Sequence, residues 1–198
     1  EEIKAIAPGH RLNWHVGFIT EEEASAIAPY VSVISFDFVG DDEVITRVYG
    51  LEKTVHDYLE TYRMLRKHFR VIPHITIGLD GGKVKHERRA LELLAEEGVE
   101  GLVFIVFTPT PGTAYASCPP PSTEEVASIL AEARLLFPTV PMALGCMRPH
   151  GNYRKELDTL AVMAGVNRIV SPAREAMEKA VELGLSIEET SECCVLDL

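Results

Sequence analysis

The feature that most constrains this chain is a beat of strand then helix, repeated six times along 198 residues. Short runs rich in β-branched and aromatic residues fall at 12–19, 31–38, 71–79, 101–107, 141–147 and 167–171, each followed by a helical pattern. Strands joined through a helix lie parallel, so the alternation predicts an α/β protein whose sheet is wound or closed. The run 101–107 is apolar at almost every position, as a strand covered on both faces must be. The expected architecture is a partial (β/α)8 TIM-type barrel of about six βα units, forming a single domain over 1–198. A complete barrel runs to about 250 residues, and this chain opens Glu1-Glu2-Ile3-Lys4 and enters a strand almost at once. Two N-terminal units are therefore expected to be missing, with an open six-stranded sheet as the alternative.

Local signals sharpen the pattern. Residues 1–11 read as the tail of a helix closed by Pro8-Gly9. Thr20 before Glu21-Glu22-Glu23 is a helix start, with a capping hydroxyl and carboxylates that suit the helix dipole. Asp41 and Asp42 sit in a turn, where capping is the first reading and metal binding the second. An amphipathic helix is expected over about 51–69 and others over 83–97, 124–137, 153–164 and 172–183. Between the fourth and fifth strands, 108–122 carries five prolines. That makes the loop stiff, and a long stiff loop at the active end of a barrel is usually functional.

Composition excludes several classes. A formal net charge of −11 weighs against a nucleic-acid surface, which needs clustered Lys and Arg. The longest apolar runs are far too short to span a bilayer, so no membrane role is expected. Four cysteines without a repeating pattern point away from a secreted disulfide scaffold and towards the cytoplasm.

In a barrel, chemistry gathers at the C-terminal ends of the strands. His15, Ser35, Asp37, His74, Thr108, Cys146 and Arg148 lie at or near such ends. Histidines within apolar strands need partners, so His15 and His74 are either cofactor or substrate contacts or are satisfied structurally. Asp37 is a hydrogen-bond acceptor for a ligand or a turn cap. Arg47 suits bidentate pairing with a carboxylate, and the alternative is a salt bridge on the crossover. Arg148, followed by Pro149-His150-Gly151, is a candidate for binding an anionic part of the substrate or for ordering the loop. Cys146, Cys193 and Cys194 admit three readings: ligands of an auxiliary iron–sulfur cluster, buried small hydrophobes, or reactive thiols.

Six short segments, in order, carry a resemblance. They are His15-Val16-Gly17-Phe18-Ile19-Thr20-Glu21, Ser35-Phe36-Asp37, Ile77-Gly78-Leu79, Pro109-Thr110-Pro111-Gly112-Thr113, Leu144-Gly145-Cys146-Met147-Arg148 and Met163-Ala164-Gly165-Val166-Asn167. Together they resemble the later part of radical S-adenosylmethionine enzymes of the biotin synthase and archaeal-type lipoyl synthase kind. The likeness extends over almost the whole chain. It departs from the family in lacking the Cys-x3-Cys-x2-Cys loop and the glycine-rich motif that follows the second strand. His74 and Gly81 stand where Gly and Glu are common, and Ala143 replaces a cluster-binding Arg, which argues against strict biotin synthesis.

The resemblance implies a radical enzyme whose [4Fe–4S] cluster is held by residues outside this chain, so that these 198 residues alone are inert. It implies that His15, Ser35, Asp37, Arg47, His74, Gly78, Thr108 and Pro109 contact S-adenosylmethionine and that Arg148 contacts substrate. A ferredoxin or flavodoxin would donate electrons, and the substrate would be a small or carrier-bound molecule. An auxiliary cluster on Cys146, Cys193 and Cys194 would make sulfur insertion the chemistry. Without one, a rearrangement like that of 3-methylornithine synthase is as good a reading. The competing classes are a degenerate barrel kept as a non-catalytic partner subunit and an ordinary barrel lyase or aldolase. The last is weak, because no strand carries a Schiff-base Lys.

Overall fold

The computed structural model of the chain describes residues 2, 5 and 9–198. The helix expected over 1–11 lies largely outside the described residues. Six parallel strands form one sheet in the order β1 to β6: β1 Asn13–His15, β2 Val33–Asp37, β3 Val71–Ile77, β4 Leu102–Val106, β5 Met142–Leu144 and β6 Arg168–Ile169. The pairings His15 with Ser35 and Asp37 with His74 fix the register of the first three strands. Helices α1 Glu21–Ile27, α2 Val55–Leu65, α3 Glu87–Glu97, α4 Thr123–Leu136, α5 Asn152–Met163 and α6 Arg174–Glu182 supply the crossovers. Each follows one of the six strands, giving the partial TIM-barrel architecture that the alternation predicts. The strands are shorter than their apolar runs, because residues at the run ends turn into loops.

The sheet sorts its side chains by alternation. On the helical face Ile34, Phe36, Ile75, Ile77, Leu102, Phe104 and Leu144 join the main core. Val33, Ile72, Val103 and Ala143 point the other way, into a second and smaller core. The helices start where the sequence signals. Thr20 with Glu23, and Ser122 with Glu125, form reciprocal capping boxes at α1 and α4. Thr54 and Asp57 do the same at α2. Asp41 accepts from the Val44 amide at 2.9 Å and Asp42 from the Val55 amide at 2.7 Å, so both act as caps.

Two features escape sequence patterning. A single helical turn, Asp42–Val44, widens into a π-helical turn, Ile45–Tyr49, closed by Gly50 in the left-handed region. Such turns are rare and often mark functional sites. The other is the C-terminal segment, in which Val195 and Leu196 are buried against Val33, Ile72, Val103 and Ala143. It fills the second core at the N-terminal half of the strands. Arg11 pairs with Asp197, while Arg70 and Arg168 donate to the carbonyls of Val195 and Cys193 and to Leu198 and Leu196. The tail thus closes the base of the concave face, leaving the strand C-terminal ends open above it.

Candidate functional site on the concave face

Alternation from the second core carries Asn13 and His15 on β1, Ser35 and Asp37 on β2, and His74 on β3 to the concave face. Ser35 is fully buried, and its hydroxyl donates to Asn13 Oδ1 at 2.9 Å. His15 and His74 meet edge to face with ring centroids 5.1 Å apart. His74 Nδ1 lies 3.1 Å from the carbonyl of Ile72. A carbonyl only accepts, so Nδ1 carries the proton and Nε2 is a bare acceptor. Burial, opposed by that hydrogen bond, pushes the His74 pKa down to about 4, and the ring is neutral at physiological pH.

Asp37 is the carboxylate of this cluster. Its residue is open to solvent within the concavity, yet protein surrounds it closely enough that desolvation raises its pKa, with the nearby His15 acting the other way. No described residue donates a hydrogen bond to it. Burial and then the Asp37 charge push the hydroxyls of Tyr49 and Tyr58 up, that of Tyr58 to about 12. Tyr49 arrives from the π-helical turn, and Tyr58 from the first turn of α2, where it packs on Phe18 and Phe36. Tyr49, hidden by the unpredicted π turn, is the site residue that sequence reasoning missed, whereas Tyr58 is a buried core position of α2 on the helical face. The concave face therefore offers an unpaired carboxylate, a bare imidazole nitrogen and the Tyr49 phenol. That donor and acceptor set suits a neutral or cationic ligand rich in hydroxyl and amino groups.

The other expected residues fall elsewhere. Arg47 makes a bidentate pair with Asp80, its Nε donating at 2.8 Å, and Tyr115 donates to the same carboxylate at 3.2 Å. This is the crossover salt bridge, and it ties the π turn to the proline-rich loop. Gly78 is buried in the left-handed region, where an added Cβ would lie 2.8 Å from Pro121. Its amide donates to Glu87 at 2.6 Å, so it does not face the concavity with a free donor. Thr108 bonds back to the Val106 carbonyl at 3.2 Å, and Pro109 follows it half-buried.

Arg148 is 1% exposed, and Asp158 holds it at 2.7 and 2.9 Å. It also donates to the carbonyls of Gly145 and Val170 at 2.6 and 2.9 Å. In this arrangement the guanidinium orders the β5 and β6 loops, the second of its two sequence readings, and presents nothing to a substrate.

Cys193 and Cys194 bring their sulfurs to 3.9 Å in the C-terminal segment. Burial first, then Cys193 and Cys146, raises the Cys194 thiol to about 12. Among the described residues no three His, Cys, Asp or Glu side chains converge so as to hold a metal ion. The sequence has no Cys-x3-Cys-x2-Cys, so this chain does not itself supply that set of three thiolates.

No family model and no curated protein matches the chain. Solved structures do. Methylornithine synthase (PylB) superposes with a TM-score of 0.68 at 13% identity, over 91% of this chain and 60% of that one. The HMG-CoA lyase from Brucella melitensis gives 0.61 at 11%, over 91% and 69%. The FeFe-hydrogenase maturase HydG from Carboxydothermus hydrogenoformans gives 0.60 at 13%, over 89% and 47%. At these identities the likeness establishes the fold, and the chain spans 60% of the length of methylornithine synthase.

Proposed function

We propose that the chain is the cofactor- and substrate-facing part of a radical S-adenosylmethionine enzyme, with the concave cluster of His15, Ser35, Asp37, His74 and Tyr49 holding the adenosyl cofactor. The fold alone does not choose this reading, since the lyase superposes as well as HydG. The six ordered segments of the sequence support it, and two of the solved structures that the chain resembles, methylornithine synthase and HydG, are radical S-adenosylmethionine enzymes. The single observation that carries it is Asp37: a partly desolvated carboxylate without a protein donor, open to solvent at the strand ends beside His15, the neutral His74 and Tyr49. A carboxylate in such surroundings has acceptor capacity left for a ligand's donors.

When bound, the cofactor supplies hydrogen-atom abstraction by its 5′-deoxyadenosyl group. This chain's residues bind and orient. Asp37 accepts from ligand hydroxyl or ammonium groups, and His74 Nε2 accepts from a further donor. Ser35, fixed by Asn13, sets the floor beneath them. The apolar second core and the tail keep water from entering from below. Neither sulfur insertion nor a carbon-skeleton rearrangement is favoured by a residue of this face.

The test is anaerobic iron and sulfide analysis with a visible spectrum, after reconstitution, of this chain and of the product of the complete gene. The proposal expects about four irons in the complete product and none in this chain. No cluster in either would overturn it in favour of a non-catalytic barrel.

A further inference from the structure

Cys118, Cys146, Cys193 and Cys194 are free thiols, and Cys193 and Cys194 are in sulfur contact at 3.9 Å. Cys193 is exposed, and Cys194 is half-buried and packs against the second core. The turn that carries them is held at its backbone. The Cys193 carbonyl accepts from the Leu196 amide at 3.1 Å and from Arg168 Nη1 at 3.2 Å. That turn seats Val195 and Leu196 in the second core. The Cys193 sulfur has a polar neighbour as well. Asn13 Nδ2 donates to it at 3.5 Å, and Asn13 Oδ1 accepts from the Ser35 hydroxyl at 2.9 Å. A chain of contacts thus runs from the thiol pair to the floor of the concave cluster.

We propose that Cys193 and Cys194 form a reversible dithiol–disulfide couple, oxidised by a low-molecular-weight disulfide and read out through Asn13 at Ser35. Burial keeps Cys194 protonated, so the first attack falls to the exposed Cys193. Its thiolate attacks the small disulfide, forming a mixed disulfide and releasing one thiol. Cys194, as thiolate, then attacks the Cys193 sulfur and expels the second thiol. The pair loses two electrons and two protons, and the small disulfide gains both. Contact between the sulfurs makes the second step intramolecular and favours it over a lasting adduct.

Adjacent Cα atoms lie about 3.8 Å apart, and disulfides ordinarily span more than about 4.4 Å. The ring therefore closes only if the peptide between the cysteines turns, and so strained a bond is easily reduced again. Turning that peptide loads the Leu196 and Arg168 bonds to the Cys193 carbonyl. The new bond also draws the Cys193 sulfur away from Asn13, the residue that fixes Ser35. Oxidation is thereby felt at the floor of the concave cluster, whichever ligand that cluster holds. The couple rests on these contacts and does not depend on the cofactor reading.

The experiment treats the chain with oxidised glutathione, alkylates the remaining thiols, cleaves after Glu192 and weighs the peptides. Peptide 193–198 is expected two hydrogens lighter and free of both alkylation and glutathione, while Cys118 and Cys146 are alkylated. In NMR of the oxidised chain the side-chain amide of Asn13 and the backbone amide of Ser35 should shift, and return with excess reduced glutathione. Cys193→Ser, at an exposed position, should abolish both changes, and Cys146→Ser should leave both in place. A lasting glutathione adduct on Cys193, a bond from either cysteine to Cys146, or thiols that stay reduced overturns the couple. Ring closure that leaves Asn13 and Ser35 unmoved overturns the link to the concave face.

Discussion

Two polar clusters at strand ends, around Arg148 and around Asp37, differ in how completely the fold satisfies them. Arg148 is closed off: a carboxylate, several carbonyls and full burial account for its donors. Asp37 is open, without a hydrogen bond from any described residue, beside His15, Tyr49 and, across the strand pairing, His74. Both residues read alike in the sequence, as charged groups at the ends of apolar strands. A saturated polar group holds loops in place, and an unsaturated one has capacity left for a ligand.

The comparison breaks first at Arg148. Arg148→Ala leaves Asp158 buried without its cation, with only the Ala173 amide still donating to it, and should cost about 3–5 kcal/mol in chemical denaturation; a loss under 1 kcal/mol would mean that the pair resembles an exposed one.

His74 gives the next largest effect, read through pH. Its folded pKa of about 4 lies below the ordinary value near 6.5, so the unfolded chain binds the extra proton first. His74 therefore contributes stability that is intact above about pH 6.5 and is lost as pH falls towards about 4. The loss amounts to about 3 kcal/mol from this group. Asp37, raised by burial, works in the opposite sense where it titrates, gaining stability for the fold as it protonates. Unfolding followed across this range should lose its slope in His74→Gln, and an unchanged slope would assign it to other groups.

Asp37→Asn comes third. It should weaken ligand binding about tenfold and leave the folded state as stable as before or more so, since an unpaired charge is removed. A marked fall in melting temperature would show that Asp37 has a hidden structural partner. The smallest effect is expected at a cap remote from both clusters: Thr20→Ala should cost about 1 kcal/mol, and no change in ligand binding should accompany it.

Much of the fold is legible in the residues themselves. Apolar runs near the length of a strand, capping pairs such as Ser122 with Glu125, and stops such as Gly98 are local signals, and the elements they predict are present. What is not legible is non-local. His86 falls inside the helix expected over 83–97, yet it precedes the observed helix and is fully buried, accepting from the Gly40 amide at 3.4 Å and donating to the Thr76 carbonyl at 3.1 Å. Glu87 beside it holds the Gly78 amide. Nothing in their neighbours along the chain announces either role. The tail is a similar case, because Val195 and Leu196 form no periodic pattern and find their core only across the whole sheet.

The site divides in the same way. Alternation along β1, β2 and β3 is enough to put His15, Ser35, Asp37 and His74 on one face. The fate of Arg47 and Arg148 depends on Asp80 and Asp158, which arrive from later elements. Sequence spacing could not distinguish a spent guanidinium from a free one.

The measurement that tests the central claim most directly is binding of S-adenosylhomocysteine, a stable analogue of the cofactor, followed by amide and imidazole NMR on this chain. The account predicts saturable shifts at His15, Asp37 and His74 and about tenfold weaker binding in Asp37→Asn. Absence of binding, or shifts elsewhere that ignore Asp37→Asn, would contradict it.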